Sequence, residues 1–158
     1  MIKLIRIDDR LVHGQVSFTW VPSLGIDCLI VANDTTAKDE FQKMTLGLAK
    51  PAGVKLLIKS VTDTVSFLSD EKNKPAKILV LINSVKDAAA LAHGVAEITS
   101  INFGGIRAKE NAKLISKAVA VTDDDIALIK ELLQKKIELE IRQVPTDEKQ
   151  KVGALVNQ

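Results

Sequence analysis

The sequence IKLIRIDDRLVHGQ, residues 2–15, contains a strand-like segment and the charged loop that follows it. Residues 2–7 are rich in isoleucine and have the length of a strand, which favours β-structure. The run ends in charged and turn-forming residues, among them Arg6, Asp8, Asp9, Arg10 and His13. The stretch therefore predicts a strand followed by a loop that places one imidazole beside two guanidinium groups.

Composition indicates one globular domain, spanning residues 1–158. The chain is 46% hydrophobic and 27% charged, with a net charge of +2, and it is long enough to bury a core. Aromatic residues make up only 3%, and no basic stripe is visible, so we expect no nucleic-acid partner. The single cysteine, Cys28, excludes an intramolecular disulfide and a multi-cysteine metal site.

No segment of the sequence resembles a targeting or membrane-spanning element. Asp8, Asp9 and Arg10 interrupt the first apolar run, unlike a signal peptide, and no run approaches the roughly 18 apolar residues of a membrane helix. The expected location is the cytoplasm.

Short apolar runs alternate with segments of helical periodicity. Further strands are predicted at residues 28–32, 54–58, 77–82, 98–103, 117–121 and 137–142. Helices are predicted at residues 15–24, from the Asn33–Thr36 start signal to about 50, and at 61–70, 84–94, 123–136 and 148–156. This alternation predicts an α/β fold of three layers, an open and mainly parallel sheet with helices on both faces.

Residues 137–142 alternate strictly between apolar and charged side chains. Such a pattern is typical of a strand with one solvated face, so we expect an edge strand near the C-terminus. An exposed edge can pair with another chain, and a homo-oligomer is one possibility.

The loops after three predicted strands are candidates for a common site, because ligands of open α/β sheets bind at the carboxyl ends of the strands. These loops are residues 8–14, 83–84 and 104–107. Within the first, the predicted nucleophile is His13, since a neutral imidazole carries a lone pair near pH 7. Arg6 and Arg10 would disfavour its protonation and neutralise a phosphoryl group.

Other residues of the same loop have supporting roles. Asp8 or Asp9 is expected to accept a hydrogen bond from the non-reacting imidazole nitrogen or to hold an arginine. Gly14 would let the backbone approach an anion or adopt a positive φ, and a helix opening near Gln15 would add free amides. Equally, one histidine with two arginines fits a passive anion site or a solvated turn.

Outside this loop the structural interpretations are favoured. Ser84 is a helix cap first and a phosphate contact second, and His93 is expected to cap the end of its helix. Cys28 is expected in the core, and Trp20 either packs or, if exposed, serves docking. The chain has no dinucleotide or Walker-type glycine motif and no Gly-x-Ser-x-Gly elbow, and its few histidines make a metal site improbable.

Residues 6–15 resemble the active-site signature of the IIB component of the bacterial sugar phosphotransferase system, mannose/fructose/sorbose family. Segments that also look familial are residues 30–34, 98–105, 137–140 and 144–146. The family's phosphorylated histidine falls on His13, and its flanking arginines and aspartates match Arg6, Arg10, Asp8 and Asp9.

The resemblance implies an open α/β sheet without a metal or organic cofactor. It implies that His13 accepts a phosphoryl group from a phosphorylated IIA protein and passes it to a sugar, as a protein-Nπ-phosphohistidine–sugar phosphotransferase. The membrane components IIC and IID would present the sugar, so peripheral association with the membrane permease is expected. Mannose, fructose, sorbose and amino sugars such as N-acetylgalactosamine all remain open. The rival hypotheses are a non-catalytic module that binds anions or phosphosugars, and a phosphohistidine hydrolase.

Overall fold

The computed structural model describes residues 1–156. Its nine strands are β1 Ile2–Asp8, β2 Cys28–Ala32, β3 Lys55–Lys59, β4 Ile78–Ile82, β5 Ser100–Gly105, β6 Ala112–Leu114, β7 Ala120–Thr122, β8 Glu138–Ile141 and β9 Gln150–Lys151. Seven of them form one sheet in the order β3-β2-β4-β1-β5-β8-β9, and every neighbouring pair is parallel except β8 with β9. The predicted open and mainly parallel sheet is confirmed.

Helices cover both faces of the sheet. They are α1, whose π-helical turn Val16–Trp20 continues as the α-helix Val21–Leu24, α2 Asp34–Ala37, α3 Glu40–Leu48, α4 Val61–Ser69, α5 Val85–Gly94, α6 Asp123–Gln134 and α7 Val152–Val156. Apolar side chains of α4 to α7 pack in one core, and those of α1 and α3 pack in the other. The three-layer arrangement is confirmed.

The central strands explain the two cores. In β2, Ile30 belongs to one buried cluster while its neighbours Leu29 and Val31 belong to the other. Because successive side chains of a strand point to opposite faces, a uniformly apolar strand can only be satisfied by helices on both sides. All five residues of β2 and all five of β4 are buried.

Two predicted helices are shorter or differently divided. The predicted helix ending near residue 50 is split into α2 and α3, because the Asp39 side chain accepts the amide of Gln42 and starts a new helix. Pro22 lies in the first turn of the α-helical part of α1, directly after the π-helical turn. Gly25 then ends α1 in the left-handed conformation, with φ 63°.

The last third of the chain departs most from the sequence-based prediction. The strand predicted at 117–121 is observed as β7, which pairs with β6 in a separate two-stranded sheet. The helix predicted at 148–156 is observed as the short strand β9 followed by α7. An edge strand near the C-terminus is present, but it is β9.

The prediction that residues 137–142 form the edge strand with a solvated face is wrong. β8 lies between β5 and β9, and its residues Leu139, Glu140 and Ile141 are buried. Its alternation has a different cause, because the polar face is covered by charged partners within the protein, as described below. β9 pairs with Glu140 and Ile141, so the second half of β8 has a strand on both sides.

Among the residues the structure describes, no helix is both long and apolar enough to cross a membrane.

Candidate active site

The candidate site lies at the carboxyl end of β1, on the face of the sheet that α1 covers. Ile5 and Ile7 pack into the core on the opposite side, so the alternating side chains of Arg6 and Asp8 face α1. The chain then turns back: the amide of Leu11 donates to the carbonyl oxygen of Asp8 at 2.9 Å.

Leu11 shapes this turn. It has φ 58°, in the left-handed region that is unfavourable for a residue with a large side chain, but it is buried in the core beside α1. The buried Leu11 and Val12 fold the loop against the sheet, and this returns His13 to Asp8.

The carboxylate of Asp8 is the centre of the site. Its Oδ2 accepts from Arg10 Nη2 at 2.9 Å, from His13 Nε2 at 3.0 Å and from Arg6 Nη2 at 3.2 Å. Its Oδ1 accepts from the Arg10 amide at 3.1 Å and from Arg10 Nε at 3.0 Å. Asp8 is fully buried, so five donors replace the water it would otherwise bind.

These contacts determine the protonation pattern of the pair. Burial alone would raise the pKa of Asp8, but hydrogen bonds from His13 and Arg10 outweigh it and hold that pKa below its usual range. An ionised carboxylate only accepts hydrogen bonds, so the proton between Asp8 and His13 lies on Nε2. In the neutral imidazole the lone pair is then on Nδ1.

Of the two aspartates, Asp8 contacts an imidazole nitrogen of His13, whereas Asp9 contacts Arg107. The side chain of His13 remains 15% exposed.

Arg6 is enclosed by protein. Its Nη1 donates to Asn102 Oδ1 at 2.6 Å and to the Arg142 carbonyl at 3.0 Å, and Nη2 donates to Asp8. Burial lowers the pKa of the guanidinium from its usual value, and the Asp8 carboxylate opposes that effect. With a fully buried side chain, Arg6 has no surface for a ligand in this structure. The sequence predicted a direct phosphoryl contact, whereas the structure gives it a supporting position.

Arg10 has the opposite environment. Its Nε and Nη2 grip the Asp8 carboxylate, and this bond raises the pKa of the guanidinium. Nevertheless 47% of the Arg10 side chain is exposed, whereas the side chain of Arg6 is fully buried. Gln15 Oε1 bridges the two arginines, accepting from Arg10 Nη2 at 3.2 Å and from Arg6 Nη2 at 3.4 Å.

A ladder of polar side chains extends from Arg6 across β5 and β8. Arg6 is aligned with Asn102, and Asn102 with Glu140. Asn102 Nδ2 donates to Glu140 Oε1 at 3.1 Å, and Arg142 Nη2 donates to the same oxygen at 2.9 Å. Sequence reasoning missed these residues. The available signal was that polar residues occupy alternating positions in two predicted strands. For residues 137–142 that pattern predicts a face exposed to solvent, whereas in the structure Glu140 is buried against Asn102.

Trp20 covers this polar ladder. Its ring centroid lies 5.1 Å from Arg6 Cζ and 5.0 Å from Arg142 Cζ, which are cation–π distances. Its Nε1 donates to the Gln143 carbonyl at 3.0 Å. Trp20 is 1% exposed, so the alternative of a docking role is wrong and the packing interpretation is confirmed.

Asp9 points away from Asp8. Its Oδ2 accepts the amide of Arg107 at 2.8 Å and Arg107 Nε at 3.1 Å, and its own amide donates to Gly105. The loops after β1 and β5 therefore meet, as predicted. A cleft of about 380 Å³ lies between them, with Arg10 on its wall and the exposed Arg107 at its rim.

Gly14 starts the helical segment that leads into α1, and Gln15 belongs to the same first turn. The predicted positive φ at Gly14 is wrong, since the positive-φ residue of this loop is Leu11. The carbonyl oxygen of His13 accepts the amide of Ser17 at 3.0 Å, so His13 lies immediately before a helix N-terminus. That end of a helix favours negative charge.

Ser84 lies in the loop after β4, and β4 is the strand next to β1 in the sheet. Its hydroxyl oxygen accepts the amide of Asp87 and caps α5, which confirms the capping interpretation. His93 is expected to cap its own helix, α5. In the structure its Nε2 instead lies 3.0 Å from Glu131 Oε1 on α6. Cys28 is buried, as predicted, and burial raises the pKa of its thiol.

The arrangement has the components of a nucleophilic phosphoryl acceptor. Nδ1 of His13 supplies the lone pair, the Asp8 carboxylate holds the opposite nitrogen, and the Arg10 guanidinium is partly free to meet an anion.

Comparison with known proteins places these features in context. Residues 2–158 match the family model described as the PTS system sorbose subfamily IIB component. A Streptococcus pyogenes protein named "Probable phosphotransferase enzyme IIB component" is 37% identical over 163 residues, covering 99% of this chain and 100% of the relative.

Two further proteins are similar over the same length. The mannose-specific EIIAB component of Escherichia coli is 34% identical over 99% of this chain, which spans 49% of that longer relative. The crystal structure of the IIB domain of the sorbose permease from Klebsiella pneumoniae superposes with a TM-score of 0.94 at 28% identity, covering 99% of this chain and 96% of that one.

Proposed function

The chain belongs to the sorbose subfamily of IIB components of the sugar phosphotransferase system, which are phosphoryl-transfer subunits of sugar uptake systems, and from this premise we propose that His13 carries the phosphoryl group. The observation that carries the proposal is the 3.0 Å bond between His13 Nε2 and the buried, ionised Asp8. It leaves Nδ1, the Nπ position, as the nucleophile.

In the first step, Nδ1 attacks the phosphorus of a phosphohistidine on a IIA protein. The new bond joins Nδ1 to phosphorus, the donor's N–P bond breaks, and the donor imidazole takes back the electron pair. The phosphorylated ring of His13 keeps its Nε2 proton and gains positive charge, which the Asp8 carboxylate offsets. In the second step a sugar hydroxyl oxygen attacks the phosphorus and releases its proton to water. The Nδ1–P bond breaks, and Nδ1 takes back the electron pair.

Arg10 is proposed as the residue that meets the phosphoryl oxygens. Charge in a phosphoryl-transfer transition state spreads over the equatorial oxygens, and a guanidinium that is already oriented stabilises it without reorganising. Both bonds to Asp8 fix the plane of the Arg10 guanidinium while almost half of the side chain stays exposed. The buried Arg6 bonds to the same carboxylate and helps to hold Asp8 in place.

The remaining predicted residues have supporting parts in the proposal. Asp9 fixes Arg107 and joins the two loops. Gly14 and Gln15 supply the first amides of the helix, and Gln15 also bridges the arginines. The Ser84 hydroxyl retains a proton after capping α5, so its contact to phosphate stays a prediction.

The proposed partners are a phosphorylated IIA protein as donor, the membrane components IIC and IID, and the sugar that they present. The side chain of Phe18, 81% exposed, belongs to the helix that His13 precedes, and its ring lies 3.9 Å from the position of a Cβ on Gly14. An exposed aromatic ring beside Gly14, the residue that follows His13, supports docking of another protein there. The chain would then act on the cytoplasmic side, bound peripherally to the permease.

The test is phosphorylation by the general phosphotransferase proteins, phosphoenolpyruvate and a matching IIA protein. We expect mass spectrometry to find one acid-labile phosphoryl adduct on His13. His13→Ala should abolish it, whereas His93→Ala, which removes the other histidine at an exposed position, should leave it unchanged. An adduct on another residue would contradict the assignment.

The same material separates the rival functions. Membranes containing the cognate IIC and IID should discharge the His13 adduct only when the transported sugar is added. Discharge to inorganic phosphate without sugar would instead indicate a hydrolase, and reversible phosphate binding without an adduct would indicate a passive anion site.

A further inference from the structure

Gly104 leaves the space that the Arg6 guanidinium occupies. A Cβ on Gly104 would lie 2.2 Å from Arg6 Cζ and 2.3 Å from Arg6 Nη2. Neither atom can retreat, because Arg6 is fully buried and bonded on both sides. Only glycine at this position of β5 allows the guanidinium to lie across the strand. At Gly47, by contrast, a Cβ would have no neighbour within 4 Å.

Gln143 closes the same space from the loop after β8. Its Nε2 donates to the Gly104 carbonyl, which ties the loop to β5. Its own carbonyl accepts from Arg6 Nη2 at 3.4 Å and from Trp20 Nε1 at 3.0 Å. Gly104, Gln143 and Trp20 thus surround one guanidinium, and we call this set of three residues the arginine seat.

The seated guanidinium reaches the reacting histidine through one intermediate. Arg6 Nη2 and His13 Nε2 donate to the same oxygen, Asp8 Oδ2. The fully buried Arg6 and the partly exposed Arg10 both bond to that carboxylate, so together they set its orientation. We propose that Gly104 and Gln143 are positioning residues for phosphoryl transfer, acting through Arg6 and Asp8 to keep the His13 proton on Nε2. The inference rests on the proposed role of His13.

The consequence of losing the seat follows from the hydrogen bonds. If the guanidinium is displaced, Asp8 loses its bond from the buried side and is held by Arg10 alone. The carboxylate is then less firmly oriented opposite His13 Nε2, and the imidazole can place its proton on Nδ1 instead. That tautomer has no lone pair on the nitrogen that would attack phosphorus.

The charged groups around Asp8 and His13 come from two strands, β1 and β8, and from the loops that follow them. Asp8 contacts His13 directly, while Arg6 and Arg10 contact Asp8. Glu140 forms an ion pair with Arg142 and also accepts from Asn102, the residue that bonds to Arg6. The tautomer of His13 is therefore sensitive to the position of Arg6.

The experiment measures the tautomer and the transfer rate separately. Nitrogen chemical shifts of ¹⁵N-labelled, unphosphorylated protein distinguish the two tautomers of His13 at a pH where the ring is neutral. We expect the Nε2–H form in the wild type, a substantial Nδ1–H population in Gly104→Ala, and phosphoryl acceptance slowed roughly tenfold, the effect of about 1.4 kcal/mol. Gly47→Ala, the same change in open space, should alter neither quantity.

Gln143→Ala provides the second variant, since it removes the bond to the Gly104 carbonyl without adding volume. We expect the same two changes in the same direction but smaller, even if Gly104→Ala fails to fold. A wild-type tautomer in Gln143→Ala, or in a folded Gly104→Ala, overturns the inference. Because the tautomer is read without any phosphoryl donor, a wild-type protein that takes no phosphoryl group would disprove the proposed function and leave this test intact.

Discussion

The buried and the exposed parts of the site use arginine for different purposes. The inner part consists of Arg6, Asn102 and Glu140, whose side chains are fully or almost fully buried and bonded to one another. The outer part consists of Arg10 and His13, which share the Asp8 carboxylate but keep some exposed surface. An arginine with all its partners inside the protein can only hold a structure, whereas one with exposed donors can also bind a substrate.

The largest effect is expected from the inner part. Arg6→Met should lower the free energy of unfolding by about 3 kcal/mol, because removing one partner of a buried ion pair leaves the other charge uncompensated. Urea unfolding measures this loss. Lys3→Met, an exposed position on β1, is the matched control and should change the stability little. A stable Arg6→Met protein would remove the distinction between the two parts.

The next largest effect is expected from the outer part, on rate rather than stability. Arg10→Ala should slow phosphoryl transfer to His13 by about 100-fold, as loss of a preorganised donor does at other sites of charge development. Its free energy of unfolding should fall by no more than about 1 kcal/mol, since the side chain is half exposed. Transfer is followed by rapid quench and stability by urea unfolding; a wild-type rate would refute the proposed contact.

Lowering the pH should reduce the free energy of unfolding through Asp8, the carboxylate that the inner and outer parts share. The folded-state pKa of Asp8 lies below the value of about 3.9 in an unfolded chain. The unfolded state therefore binds the proton more tightly, and Asp8 contributes stability that is present above about pH 5 and is lost as the pH falls below about 4. Urea unfolding measured from about pH 5 down to about pH 3 should show a flatter pH dependence in Asp8→Asn.

The exposed Asp124→Asn serves as the control for that measurement. It should leave the pH dependence of stability close to that of the wild type. If Asp8→Asn shows the wild-type slope as well, the depressed pKa of Asp8 is not a source of the acid sensitivity.

The smallest effect is expected at Arg107, an exposed arginine outside the Asp8 network. Arg107→Ala removes a surface ion pair to Asp9, which is worth less than about 1 kcal/mol. The Arg107 amide would still hold Asp9, so the loops should stay joined. Transfer rates within about threefold of wild type are expected from the same quench assay, and a loss as large as that of Arg10→Ala would extend the outer part to the loop after β5.

Much of the fold, and His13 as the main site residue, can be predicted from the sequence because they depend on interactions between residues close in the chain. Apolar runs such as Ile78–Ile82 with buried strand character are determined by side chains that must leave water on both faces. Helix caps such as Ser84 act within three residues, so they too are visible in the sequence. His13 stood out because few residue types can accept a phosphoryl group and because its neighbours were charged.

The sequence by itself determined the alternation of strands and helices, the two buried central strands, and the loop that carries Asp8, Arg10 and His13. Tertiary structure alone decided which arginine is buried, which nitrogen of His13 faces Asp8, and that β8 lies beside β9 rather than at the edge. The physical reason is the range of the interactions. Caps and apolar runs depend on neighbours in the chain, whereas Arg6 is bonded to Asn102 and Arg142, residues 96 and 136 positions away, which meet it only once the strands have paired.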